Sequence, residues 1–186
     1  LFVSETPQRT RGRLIMGGMA KKKHEKGAGS TPATVQLEQA GIPFKTYEYA
    51  HSNDHMDDGY GVEAATKLGF DEHQVFKTLM ADTGSERVVG VVPVSGHMDL
   101  KALAAAVGAK KAAMADPKVA MRESGYVVGG ISPLGQRTHH KTVLDESALQ
   151  YGEILLSGGK RGFSIGINPN DLLKVLDGIA APIGTW

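Results

Sequence analysis

QVFKTLMADTGSERVVGVVPV, residues 74–94, sets two apolar runs rich in β-branched residues on either side of DTGSE. Asp, Gly and Ser between such runs are turn chemistry, so the stretch predicts an antiparallel hairpin over 75–94. Working outward, PFKTYEYA (43–50) predicts a strand before it, and segments near 141–144, 152–157 and 163–167 predict strands after it. Strands therefore arrive in groups rather than in strict βαβ alternation, which favours an α+β fold around a mixed sheet over a doubly wound one.

Helices are marked by their starts. Thr31-Pro32, Asp116-Pro117 and Asn168-Pro169 each place a capping side chain before a proline at the first helical position. The first of these helices runs through TPATVQLEQAG with Gly41 as its stop, and the last, NDLLKVLDG, puts Leu172, Leu173 and Leu176 on one face. VEAATKLG, ending at Gly69, predicts a helix of about two turns, and Asp99 caps LKALAAAVG, closed by Gly108.

With 186 residues, 41% of them apolar and 22% charged, the chain is expected to form one globular domain. Cysteine is absent, which excludes disulfides, thiolate metal sites and a cysteine nucleophile and agrees with a reducing compartment. No run of about 18 apolar residues could span a bilayer, and LFVSETPQRTRGRLIMGGMAKKKHEKGAGS lacks the apolar core of a secretory signal. These features predict a soluble, cytoplasmic protein with no membrane partner.

Residues 1–30 hold seven Arg/Lys and two Asp/Glu with almost no periodic apolar face, and are expected to be a disordered basic tail ahead of a domain over 31–186. Met19 reads as a natural start, which leaves open whether residues 1–18 belong to the native protein. The rest of the chain holds fourteen basic and eighteen acidic groups, net −4, although the whole is +1. A body of that charge is expected to touch little of any nucleic acid, since phosphate neutralisation supplies most non-specific affinity.

GYVVGGISPLGQR, residues 125–137, interrupts an apolar segment with Gly125, Gly129, Gly130 and Gly135. Glycine in a regular element costs roughly 0.5–1 kcal/mol relative to alanine, so either the chain turns sharply here or a ligand approaches the backbone. SGGKRG (157–162) lacks the first glycine of a phosphate loop and carries Arg161 where Ser or Thr would hold magnesium. GYGVEA (59–64) follows an acidic loop instead of a strand, so it is not read as a dinucleotide site. His51 and His55 lie four apart in a loop with Asp54, Asp57 and Asp58, a spacing that fixes no geometry there; exposed turn chemistry is expected, and no metal. There is no G-x-S-x-G elbow, while Ser157, next to Gly158, and Ser132, two residues after Gly130, stand near glycines where a hydroxyl and bare amides could meet a ligand. Lys77 shares a strand face with Val75 and Leu79, a place suited to anchoring a phosphate or a developing oxyanion.

TPA, FKTL, GAKKAAMADP, GYVVGGISPLGQ and SGGKRG, in this order and spacing, resemble the YbaK/EbsC-type aminoacyl-tRNA deacylases, and among them the bacterial cysteinyl-tRNA(Pro) deacylases. The resemblance covers about residues 31 to 178 and implies one α+β domain around a mixed, barrel-like sheet flanked by helices, the fold shared with the editing domain of prolyl-tRNA synthetases. It places the family's functional lysine on Lys77, its glycine on Gly129 and its serine on Ser157. Pocket aromatics fall on Tyr49 and Tyr60, with Thr78, Gly130, Ser132 and Gly158 as further substrate-binding positions. Some members carry an aspartate where this chain has Ser164.

The implied activity is trans-editing of Cys-tRNA(Pro), without cofactor or metal: the substrate thiol attacks its own carbonyl and releases tRNA. Lys77 would anchor the 3′ end or steady negative charge, Gly129 and its neighbours would donate backbone hydrogen bonds, and Ser157 would orient the substrate. The implied partners are the aminoacylated 3′ end of tRNA and prolyl-tRNA synthetase. Two rivals stand beside this reading: a deacylase for another mischarged tRNA such as Ala-tRNA(Pro), and a non-catalytic module that binds tRNA ends or a synthetase.

Overall fold

The computed structural model describes residues 13–15, 29–52 and 59–186. In chain order its strands are β1 (Arg13–Ile15), β2 (Phe44–Glu48), β3 (Phe76–Asp82), β4 (Arg87–Pro93), β5 (His97–Met98), β6 (Ala113–Met114), β7 (Lys141–Asp145), β8 (Ile154–Lys160), β9 (Phe163–Ile167), β10 (Ile179–Ala181) and β11 (Gly184–Thr185). The helices are α1 (Pro32–Ala40), α2 (Tyr60–Leu68), α3 (Leu100–Ala106), α4 (Pro117–Ser124) and α5 (Pro169–Leu176), with a 3-10 turn at Glu146–Gln150.

The proline-led helices start as their caps require. Thr31 Oγ1 accepts from Thr34 N–H at 3.3 Å while Thr34 Oγ1 accepts from Thr31 N–H at 2.9 Å, a reciprocal capping box. Asp116 Oδ1 accepts from Lys118 N–H at 2.8 Å and Asn168 Oδ1 from Asn170 N–H at 2.9 Å. Asp99 caps α3 by accepting from Ala102 N–H at 3.0 Å. Helix α2 begins two residues earlier than its apolar pattern suggests, at Tyr60, with Gly59 before it.

Strands β3 and β4 form the expected hairpin, paired from Phe76 with Pro93 to Asp82 with Arg87. β4 also pairs in parallel with β7, and β7 in parallel with β10, giving a five-stranded mixed sheet ordered β10-β7-β4-β3-β6. A four-stranded antiparallel sheet, β1-β2-β9-β8, lies beside it, and β11 and β5 make a small ribbon. The fold is thus α+β with mixed sheets, and it differs from the barrel-like expectation because the sheets stay open. The edge strands of the five-stranded sheet, β6 and β10, are two and three residues long and pair with no further strand among the described residues.

β4 is buried on both faces, which explains its nearly unbroken apolar run. Val89 and Val91 pack with Phe76, Met80 and Leu144 against Leu37 of α1, Ala120 of α4 and Leu172 of α5. Val88 and Val92 pack on the other side with Leu103 of α3, Val143 and Ile183. The short strands β5, β6, β10 and β11 carry too few residues to show periodicity, and the sequence does not announce them. Of the tail expected over 1–30, residues Arg13–Ile15 form an edge strand on β2; most of it lies outside the described residues.

The glycine-rich stretch is mostly accounted for by the protein's own packing. Gly125 ends α4 in the left-handed region at φ 82°. Gly135 has φ 65°, donates its N–H to Gln36 Oε1 at 2.7 Å, and leaves room for the first turn of α1: a Cβ there would stand 2.3 Å from the Pro32 carbonyl carbon. Gly135→Ala is therefore expected to lower stability by at least ~1 kcal/mol, through both the backbone conformation and the clash, as measured by urea unfolding.

Candidate functional site

The two main sheets touch through one isolated parallel bridge, Val75 with Leu155, reinforced by Leu155 N–H donating to the Gln74 carbonyl at 3.0 Å. Side chains alternate along a strand, so Lys77 of β3 and Ser157 of β8, each two residues beyond the bridge, fall at the same level on the same faces as Val75 and Leu155. A cleft of about 340 Å³ is lined by both residues and by Tyr49, Tyr60, Thr78, Gly129 and Ser164. Its apolar wall comes from Phe76, Met80, Ala120, Ile131 and Leu156, with Met114 and Val128 among the exposed apolar residues that also line it.

Lys77 is half-buried, and its Nζ donates to the Gly96 carbonyl at 2.7 Å. Burial pushes its pKa below the ordinary lysine value, since desolvation disfavours the ammonium. Thr78 Oγ1 beside it is buried without a hydrogen-bond partner among the described residues. Ser157 pairs in register with Ser164 of β9, and its Oγ accepts from Gly159 N–H at 3.2 Å. The register slips between Ser157 and Lys160, so Gly158 and Gly159 bulge out of the ladder just beyond the serine.

Tyr60, at the start of α2, is clamped on the opposite wall. Gly129 has φ 84°, and a Cβ on it would lie 2.7 Å from the Tyr60 ring, so the loop backbone rests directly on the aromatic face. The Arg161 guanidinium sits 4.9 Å from the ring centroid while its Nε donates to the Val128 carbonyl at 3.0 Å, tying the β8–β9 turn to the same loop. His51 stacks obliquely on Tyr60 at 5.6 Å between centroids.

Glu63 holds this corner together. Its carboxylate is 6% exposed and accepts from Ser52 N–H at 2.8 Å, lies 2.9 Å from His51 Nδ1 and is 3.1 Å from Lys67 Nζ. Burial alone would raise its pKa, but those donors outweigh burial and hold it below the ordinary glutamate value. The Tyr49 phenol is pushed up by burial and by the Glu63 charge, against a lowering hydrogen bond to the Gly162 backbone.

Of the nine residues singled out in the sequence, Lys77, Gly129, Ser157, Tyr49, Tyr60 and Thr78 line the cleft. Gly130, Ser132 and Gly158 stand off it. The Gly130 N–H is taken by the Val127 carbonyl at 2.9 Å, and a Cβ there would meet the Lys160 backbone at 2.9 Å. Ser132 is fully buried with its Oγ accepting from Leu134 N–H at 3.3 Å, and Gly158 makes room for the Phe163 ring. His51 is not the exposed turn residue expected; it is partly buried through the Glu63 contact, whereas His55 falls outside the described residues. Glu63 and Arg161 escape sequence reasoning because each looks like an ordinary surface charge on a helix or turn. Among the described residues no group of three or more His, Asp or Glu side chains is placed to hold a metal.

Residues 59–175, which carry this cleft, match the family described as the aminoacyl-tRNA editing domain, and the chain belongs to that family. Over 170 residues it is 39% identical to an Enterococcus faecalis protein named "Putative Cys-tRNA(Pro)/Cys-tRNA(Cys) deacylase EbsC", with 90% of this chain and 99% of the relative covered. A solved structure described as a "putative trans-editing enzyme for prolyl tRNA synthetase" is 23% identical and superposes with a TM-score of 0.71, covering 83% of this chain and 96% of that one. The hypothetical protein APE2540 is 19% identical with a TM-score of 0.74, covering 83% and 100%. These two structures speak for the fold alone.

Glu63→Gln is expected to lower stability at pH 7 by ~1–3 kcal/mol, the scale of hydrogen bonds to a charged group. A carboxyl held low in the folded state stabilises above its unfolded pKa, and that contribution is lost as pH falls through the lowered folded value. Urea unfolding of both proteins at pH 7 and pH 3 is expected to show the gap narrowing toward acid.

Proposed function

We propose that this chain is a trans-editing deacylase that removes cysteine from mischarged Cys-tRNA(Pro). The observation that carries the reading is that Lys77 and Ser157 line one small cleft, in a chain 39% identical over nearly the whole length of a relative named for that reaction. A volume of about 340 Å³ is at the small end of ligand sites and suits an aminoacyl ester with its terminal ribose.

The reaction needs no nucleophile from the protein. The cysteinyl sulfur attacks its own ester carbonyl, a C–S bond forms, the C–O bond to the terminal ribose breaks, and the thiol proton ends on the departing ribose hydroxyl. The products are free tRNA and a thiolactone, which water then opens. Lys77 steadies the charge that gathers on the carbonyl oxygen, and Gly129, which a side chain would force off Tyr60, offers bare backbone beside it. Ser157 orients the ester, and Tyr49 and Tyr60 shape the pocket around the amino acid. The apolar wall excludes water, which strengthens every charge contact inside.

In this reading the substrate is the aminoacylated 3′ end of tRNA in the cytoplasm, and prolyl-tRNA synthetase presents it to a body too acidic to grip tRNA unaided. Incubation of the protein in catalytic amounts with cysteinyl-, alanyl- and prolyl-tRNA(Pro) is expected to clear the cysteinyl ester, and Lys77→Ala to slow that by about 10²–10³-fold. S-methylation of the cysteinyl group is expected to block turnover. Clearance of alanyl-tRNA(Pro) instead would overturn the thiol chemistry and keep the deacylase; clearance of none would leave a binding module.

A further inference from the structure

The Lys77 ammonium is held by a carbonyl from outside the cleft. Gly96 accepts from Lys77 Nζ at 2.7 Å and lies in a turn closed by its own N–H donating to the Pro93 carbonyl at 3.1 Å. Segment 183–186 covers that turn so closely that a Cβ on Gly96 would stand 2.5 Å from the Thr185 carbonyl oxygen and 2.7 Å from the Trp186 indole. The segment is itself firmly placed. Thr185 pairs with His97 and Gly184 with Met98, and the Ile183 carbonyl accepts from Asp99 N–H at 2.7 Å. Asp145 Oδ1 accepts from the N–H groups of Ile183 at 3.0 Å and Gly184 at 2.8 Å, and the Ile183 side chain is fully buried.

We propose that Gly96 is a positioning residue for Lys77, and that segment 183–186, anchored on Asp145, is the brace that fixes it. A lysine has four rotatable side-chain bonds and three donors on a compact head, so its direction is set by whichever acceptor holds it. The Gly96 carbonyl takes one donor and leaves the others for the cleft. The backbone at Gly96 is not in the left-handed region; glycine is required there by closeness to the brace. This inference rests on the reading of Lys77 as the functional lysine.

Gly96→Ala, which forces the turn and the brace apart, and Trp186→Ala, which loosens the brace without touching the cleft, are tested together. The first readout is the NMR titration of the Lys77 side chain in the free protein, assigned with Lys77→Arg. Losing an acceptor that favours the ammonium is expected to shift this titration to lower pH in both variants, more in Gly96→Ala. The second readout is single-turnover cysteinyl-tRNA deacylation. Gly96→Ala is expected to slow it about tenfold with Lys77 present and to change nothing in a Lys77→Ala background, the pattern of a residue acting through another.

An equal loss in both backgrounds, or an unshifted Lys77 titration in both variants, would overturn the brace. A shifted titration in a protein that deacylates nothing would overturn the functional reading and leave the brace standing.

Discussion

Everything at the cleft depends on the one place where the two sheets join. Val75 and Leu155 bridge in parallel, and beyond them β3 and β8 share no further ladder pairs among the described residues, β3 pairing with β4 and β8 with β9. A continuous ladder would bring side chains two residues on within direct packing distance and fill the space. A junction held by one bridge instead opens a wedge, and strand periodicity places Lys77 and Ser157 on its two lips. The cleft is therefore a property of sheet topology before it is a property of any residue.

The wedge would collapse or flood without walls, and these come from backbone set directly on side chains. Gly129 lies on the face of Tyr60, Arg161 covers that ring and holds the Val128 carbonyl, and Glu63 ties His51, Ser52 and Lys67 beneath. The glycines of 125–137 serve these contacts. Close approach and left-handed turns explain Gly125, Gly130 and Gly135, and Gly129 alone of the four also faces the cleft. A negatively charged Glu63 buried among donors fixes the corner.

Much of this was legible in the sequence, for reasons that differ from element to element. The hairpin 75–94 and the helices after Thr31, Asp116 and Asn168 are written in local chemistry, turn residues and caps, which tertiary contacts do not override. Lys77 was legible because a lone cation between apolar neighbours on a strand face has no solvated place to go. Open sheets in place of a barrel were not legible, because closure depends on how edge strands of two or three residues end. Glu63 was hidden since an i, i+4 pair with Lys67 looks the same on an exposed helix as over a buried corner. Ser132 and Gly158 stand off the cleft, and the sequence does not separate them from cleft-lining positions because a turn-forming serine and a ring-accommodating glycine carry the same signature as ligand-facing ones.

β7 is the parallel partner of both β4 and β10, so the central sheet is assembled from segments that meet late along the chain. Val88 must find Lys141, and Val143 must find Ile179, before any of those pairings is secured. Loop closure of that kind slows folding far more than it changes stability. Until β7 arrives, the β3–β4 hairpin has an open edge of unpaired amides flanked by valines. For a newly made chain, the interval before that edge is covered is when it is most exposed to mispairing with another copy of itself.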